Sequence, residues 1–310
     1  MPTSRRTAQT PQVSASLVRM SGGLACAVAL LASAPASAAW PDDVRLTQLS
    51  SYQGENFTNV AANREAYEQV VRELAAVVAN KANAPAATSG IAGFDVALTS
   101  TVGFIDANGD GDSEPAAWER THADADPAHV MWVPGISVRK GLPMSLEVGT
   151  NLGYVAFSRQ TTFGAYGRWG LVEGYRQFPD VTMQMGYAGY LGNDELELGV
   201  MDTSFSVGYD IPFGRGRTYK TSSFSPWVSA GWLRINAAPL LDDDTQQELG
   251  VRAVSAFKGK DSYVEGFAPA TIAAGARLRS GDVQMLLSHT LVTTRDRATA
   301  TLHVGIGYLY

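Results

Sequence analysis

The residues best able to do chemistry by type and spacing lie in one run, Asp106-Ala107-Asn108-Gly109-Asp110-Gly111-Asp112-Ser113-Glu114. Oxygen-bearing side chains at alternate positions, with Gly111 sixth, match the opening of a calcium loop. A hard divalent cation needs a cage of oxygens, and a glycine lets the backbone turn around it. The twelfth position, where a bidentate glutamate closes such a loop, is Ala117. Asp106, Asn108, Asp110, Asp112 and Glu114 are therefore a candidate calcium loop without its usual closing ligand, for which Glu114 or Glu119 are the nearby substitutes. The plainer reading is a solvated acidic turn, since Asp, Asn and Gly are also what loops are made of. No other cofactor is implied. Asp242-Asp243-Asp244 reads as solvation alone.

Nucleophilic hydrolysis needs a Ser, a His and an orienting acid in contact. The chain has 4 His. His122 and His129 fall in a loop, while His289 and His303 fall in extended segments. Ser288 faces away from His289 by alternation, so their adjacency makes no dyad, and no catalytic residue is assigned. A lipid-modifying enzyme stays only as a last alternative.

A third set shares a face rather than a motif. Glu147, Asn151, Arg168, Gln184, Arg277, Arg279 and Gln284 all take the polar side of segments whose other side is apolar. Charges of both signs on an enclosed face must pair or stay hydrated, so they either fill a narrow barrel or line a thin aqueous path.

Such a face presupposes strands. Phe94, Val96, Leu98, Val102 and Phe104 alternate with polar or small residues, as do Leu146, Val148, Leu152 and Tyr154, the period of a half-buried strand. Further segments at 130–139, 162–173, 180–191, 200–211, 222–235, 266–279, 283–291 and 298–310 bring the total to about ten, most of them long enough for a tilted membrane strand of roughly 9 to 11 residues. Eight or twelve remain open, because Leu196 to Met201 breaks register and 236–264 could hide a hairpin. A sandwich alternates too, but here the connections sort. Those at 106–129 and 236–265 are long and polar, whereas 140–143 and 280–282 on the other side are tight turns, as in an outer-membrane barrel. Phe94, Phe104, Trp132, Tyr154, Phe163, Trp169, Phe224, Tyr308 and Tyr310 cluster near strand ends, where interfacial girdles sit. The fold class is all-β, a transmembrane antiparallel up-and-down barrel over 91–310.

Composition permits this. The chain has 310 residues, 45% hydrophobic and 17% charged, with 31 Gly. Its mean hydropathy of −0.06 rules out a bundle of membrane helices but not a barrel, whose lumen side dilutes its apolar side. Residues 1–39 read as a secretory signal: Arg5, Arg6 and Arg19 precede an apolar run from Gly22 to Leu31, with small residues before a cut after Ala38 or Ala39. The only cysteine, Cys26, lies inside that run, and a lipoprotein cut there would discard half its apolar core. Without the signal's three basic residues, 21 Lys+Arg against 30 Asp+Glu change the net charge from −6 to −9, which disfavours nucleic acid as a partner. Residues 40–90 hold a helix over Asn63–Lys81, with Asn63 as its cap. Tyr67, Val70, Val71, Leu74, Val77 and Val78 share one face, and the helix serves as a plug or a periplasmic element.

The last segment, His303-Val304-Gly305-Ile306-Gly307-Tyr308-Leu309-Tyr310, resembles the terminal signal by which outer-membrane assembly machinery recognises barrels, with His303, Gly305, Tyr308 and Tyr310 at its alternate positions. The stretches Trp169-Gly170-Leu171-Val172-Glu173-Gly174, Phe178-Pro179-Asp180-Val181 and Arg139-Lys140-Gly141-Leu142-Pro143 resemble those of uncharacterised, porin-like proteobacterial outer-membrane β-barrels, over roughly Gly90 to Arg234. That resemblance supports the fold and supplies no functional residues; the barrel and the signal together imply the bacterial outer membrane, with the lipid bilayer and lipopolysaccharide as surroundings. Long-chain fatty-acid transport barrels are a more distant comparison, with more strands and an N-terminal hatch motif not found here. The resulting expectation is a narrow channel or transport barrel for small solutes of unknown identity. Its rival is a non-conducting anchor that presents its loops to partners.

Overall fold

The computed structural model describes residues 43–50, 60–107, 116–122, 127–175, 178–213, 222–256, 267–293 and 298–310. Ten antiparallel strands form a closed ring: β1 (Phe94–Phe104), β2 (Val130–Leu142), β3 (Leu146–Tyr154), β4 (Thr161–Val172), β5 (Asp180–Leu191), β6 (Leu196–Gly208), β8 (Ser222–Pro239), β10 (Ala270–Ser280), β11 (Val283–Thr293) and β12 (Ala298–Leu309). The ring closes because β1 pairs with β12 from Asp95↔Leu309 to Phe104↔Ala300, while β8 pairs with β10 from Ala270↔Trp232 to Ser280↔Ser222. Closure removes the open sheet edges that hydrocarbon could not satisfy. Two short strands extend it: β7 (Ile211–Phe213) continues the line of β6 along β8, and β9 (Val254–Ser255) pairs with the part of β8 that rises beyond β10.

One rim carries the tight connections β2–β3 and β10–β11, together with the mutual backbone bonds of Phe94 and Tyr310; it is called the turn rim below. The opposite, loop rim carries α2 (Ala117–Thr121) in the β1–β2 connection and α3 (Asp243–Leu249) after β8. Asp242 is not merely solvated, because its side chain caps α3 by accepting from the Thr245 amide at 3.0 Å. Those bonds hold its carboxyl below the usual carboxylate range.

The helix α1 spans Val60–Val78, so it starts earlier than the sequence suggests, and Asn63 lies within it rather than capping it. It touches β1, β5, β6, β8 and β12, strands from both sides of the ring, so it stands inside the barrel. Val70, Val71, Leu74, Ala75 and Ala76 have no exposed surface.

This helix explains the apparent break in β6. The inward positions there are Leu196, Leu198 and Val200, then Asp202, Ser204 and Ser206, all buried on a single parity. The inner face changes from apolar to polar where the strand leaves the helix, and the register is unbroken. β2 and β8 change in the same way, from Met131 and Val133 to Ser137 and Arg139, and from Ile235 and Leu233 to Ser225 and Ser223. The lumen therefore has an apolar half at the loop rim, packed on α1, and a polar half at the turn rim. Outside, Leu98, Ile136, Val148, Phe163, Ile272 and Leu287 are among many large apolar side chains left exposed.

Candidate functional site: a plugged polar lumen

Past α1 the chain descends the polar half as a slim segment, 79–91, built mostly of Ala, Asn, Ser, Thr and Pro. Small side chains let it fit a ring only ten strands around, a size of barrel whose interior side chains already come close to filling. Each step is tied to the wall. Asn80 Nδ2 donates to the carbonyls of Ala165 in β4 and Tyr187 in β5 at 3.1 and 2.9 Å, and Asn80 Oδ1 accepts from Asn151 of β3 at 3.1 Å. A Cβ on Gly164 would collide with that same amide, so the strand needs glycine there to let the segment approach. Lys81 Nζ donates to the Ala76 and Val77 carbonyls at 2.6 and 3.2 Å and to Thr301 Oγ1 at 3.2 Å, closing off the last turn of the helix. Lower down, the Trp227 indole donates to the Ala82 carbonyl at 3.1 Å, and Ser288 Oγ donates to Asn83 Oδ1 at 3.1 Å.

At the turn rim the wall supplies a chain of alternating charges. Asp95 of β1 pairs with Arg139 of β2 and also accepts from Gln284 Nε2. Arg139 lies 4.0 Å from Glu147 of β3, which pairs with Arg168 of β4 at 3.0 Å. Two anions and two cations, all nearly without exposure, alternate across four consecutive strands and sum to zero. The plug completes this arrangement. Glu147 Oε2 accepts from the Ser89 amide and hydroxyl at 2.8 and 2.9 Å, and Arg168 donates to the Pro85 carbonyl. Ion pairs this deep are favoured when their remaining lone pairs and protons are satisfied, which the segment does for Glu147 and Arg168, whereas Asp95 Oδ1 has no hydrogen-bond partner.

Near the loop rim Glu73 of α1 plays the matching part. Its carboxylate accepts from Trp118 Nε1 at 2.6 Å, the Asp106 amide at 3.1 Å and Gln69 Nε2 at 3.0 Å, pinning the helix to the β1–β2 connection.

Among the sequence-derived lumen residues, Glu147, Arg168, Gln184, Arg277 and Gln284 are buried inside the ring, and Asn151 is half-buried against Asn80. Gln184 donates to the Lys81 carbonyl at 3.0 Å and to Asp202 Oδ2 at 3.1 Å. Arg277 donates to Ser225 Oγ at 3.2 Å and lies 3.8 Å from Asp210. Arg279 stands apart: it is half-buried, and its Nε donates to the Gly281 carbonyl at 2.8 Å within the β10–β11 turn. In β12, His303 faces inward, with Nδ1 2.9 Å from Thr101 Oγ1, and Tyr308 reaches Asp282 at 3.2 Å. Gly305 is buried and Tyr310 is exposed. Of the calcium loop, Asp106 is described, while Asn108, Asp110, Asp112 and Glu114 lie outside the described residues.

A polar cavity of about 30 Å³ among the described residues, lined among others by Asn80, Lys81, Arg139, Asn151 and His303, has room for a few waters.

No protein-family model matches the chain, and no curated protein matches it in sequence. Solved structures similar in outline include LpxR from Salmonella typhimurium, 9% identical with a TM-score of 0.36 over 70% of this chain and 99% of that one. The N-terminal β-barrel domain of Pseudomonas aeruginosa OprF is 10% identical, TM-score 0.31, over 71% and 99%. The transport unit of the autotransporter AIDA-I from Escherichia coli is 8% identical, TM-score 0.31, over 79% and 99%. Likenesses this slight carry no argument about activity, and the barrel stands on its own hydrogen-bonded ring.

Sequence reasoning passed over Asp95, Arg139, Asn80 and Lys81. The first two were within reach, since each takes the polar parity of its strand and they are direct register partners. By sequence Asn80 and Lys81 fall in the last turn of the helix, which in the structure already ends at Val78, so helical spacing could not tell what either side chain meets.

Proposed function

We propose that this protein is an outer-membrane barrel that keeps its lumen shut and presents its loop rim to the exterior, as an anchor for surface contacts rather than a channel. The membrane assignment is supported by the belt of exposed apolar side chains, which a monomer in water would not leave uncovered. Strands of 9 residues or more suit a tilted crossing. The assignment of rims follows the general rule that outer-membrane barrels turn tightly on the periplasmic side and loop out on the other. One observation carries the closed state: residues 79–91 run through the polar half and hydrogen-bond to β3, β4, β5, β8, β11 and β12. A path for solutes would require this segment to come away from the wall.

Refolded native protein in a planar bilayer is expected to stay electrically silent at moderate voltage. Steady, ohmic steps from the intact protein would favour the narrow-channel reading instead.

A further inference from the structure

The plug enters from the loop rim, and its direction has a topological consequence. Upstream of α1, the segment Asp43–Ser50 is fastened to three separate loop-rim connections. Asp43 Oδ1 accepts from the Arg159 amide at 3.2 Å in the β3–β4 connection. Val44 bridges His122 after α2, and the Arg45 amide donates to the Thr121 carbonyl at 2.6 Å. The Thr47 amide and hydroxyl donate to Glu195 between β5 and β6, each at 2.8 Å, and Asn193 Nδ2 donates to the Val44 carbonyl at 2.9 Å. From there the chain moves one way. Val77 lies against Gly103 near the loop end of β1, Asn83 is level with the middle of β11, and Ser89 meets Glu147 near the turn rim. Finally the Gly141 amide donates to the Gly93 carbonyl at 3.0 Å, just before β1 begins.

A chain that threads a closed ring once has its two ends on opposite sides. We infer that the barrel carries the polypeptide ahead of α1 across the outer membrane, so that Asp43–Ser50 is displayed outside the cell and the lumen serves as the exit route for the short stretch that the cut after Ala38 or Ala39 leaves ahead of α1. The upstream chain either passes through the ring or has the ring close around it; in both cases the plug is the last stretch to follow, left behind as the stopper. The closed lumen and the outward segment are then two results of one transit. This inference rests on the reading in which the loop rim faces out.

Single cysteines in a Cys26→Ser background, probed on intact cells with a polymer-linked maleimide too large for general porins, test it. Thr47→Cys reports the upstream segment, Glu248→Cys in α3 reports the loop rim, and Met144→Cys reports the turn rim; all three side chains are exposed. The expected result is that Thr47→Cys and Glu248→Cys react in intact cells as fully as after permeabilisation, and Met144→Cys reacts only after it. Should Glu248→Cys react in intact cells while Thr47→Cys waits for permeabilisation, the transit inference falls and the assignment of rims survives. If Met144→Cys is the one labelled from outside, the assignment of rims falls, and the inference with it.

Discussion

Replacing Val70, Val71 and Leu74 together by aspartate is expected to make a silent barrel conduct. All three side chains are without exposed surface in the apolar half of the lumen, against wall residues such as Leu198, Val200 and Leu233. Removing a buried leucine side chain alone costs about 2–5 kcal/mol, and placing unpaired carboxylates in the same space adds more. The ring does not depend on these contacts, because its strands are joined by backbone bonds right round. The expected outcome is release of α1 with the barrel intact, the latter verified by an unchanged heat-dependent shift on gels. With α1 released, residues 79–91 are held only by their own bonds and should come away from the wall intermittently, so the current should flicker, and deleting 40–91 should turn it into a larger, steady conductance. A triple variant that keeps its barrel and stays as silent as the native protein would mean that α1 does not gate the lumen.

The second large effect is expected at Glu147. Truncation to alanine leaves Arg168 and Arg139 without their shared counter-charge and removes the oxygen that accepts from both the amide and the hydroxyl of Ser89. Breaking one partner out of a buried pair typically costs about 3–5 kcal/mol. A urea midpoint measured in detergent micelles should fall by a corresponding amount for Glu147→Ala and by less for Glu147→Gln. Arg279→Ala is the internal reference, since its guanidinium only braces a half-buried turn and should shift stability by about 0.5–1 kcal/mol. Equal effects at the two positions would mean that the Glu147 charge is hydrated, as a pore-lining residue would be.

The strands were legible because the two sides of each meet different surroundings, and a period of two survives even where the ends of a strand cannot be placed. β6 shows where that reading strains. Leu196, Leu198 and Val200 look like a register slip when lipid is assumed to be the only apolar surface, and the sequence does not announce a second one inside the barrel. The buried face of α1 was equally readable, through Tyr67, Val70, Val71 and Leu74, but a face does not name its partner. Of the site, Glu147, Arg168, Gln184 and Gln284 followed from parity alone. What joins them to the plug was hidden, because 79–81 read as the end of the helix and 82–91 have neither helical nor strand period, and the contacts run through backbone carbonyls and short amides.

The most direct test of the plugged lumen uses one close approach between helix and wall. A Cβ on Gly103 of β1 would lie 3.4 Å from the Val77 Cβ, and only Val77 side-chain atoms stand nearest to it. Disulfides form at Cβ separations of about 3.5–4.5 Å. In a Cys26→Ser background, Val77→Cys with Gly103→Cys should oxidise almost completely in cells, appearing as a reducible shift of the heat-denatured chain, while either single variant shows none. Free thiols at both positions in a barrel that is otherwise folded would contradict a helix seated in the lumen.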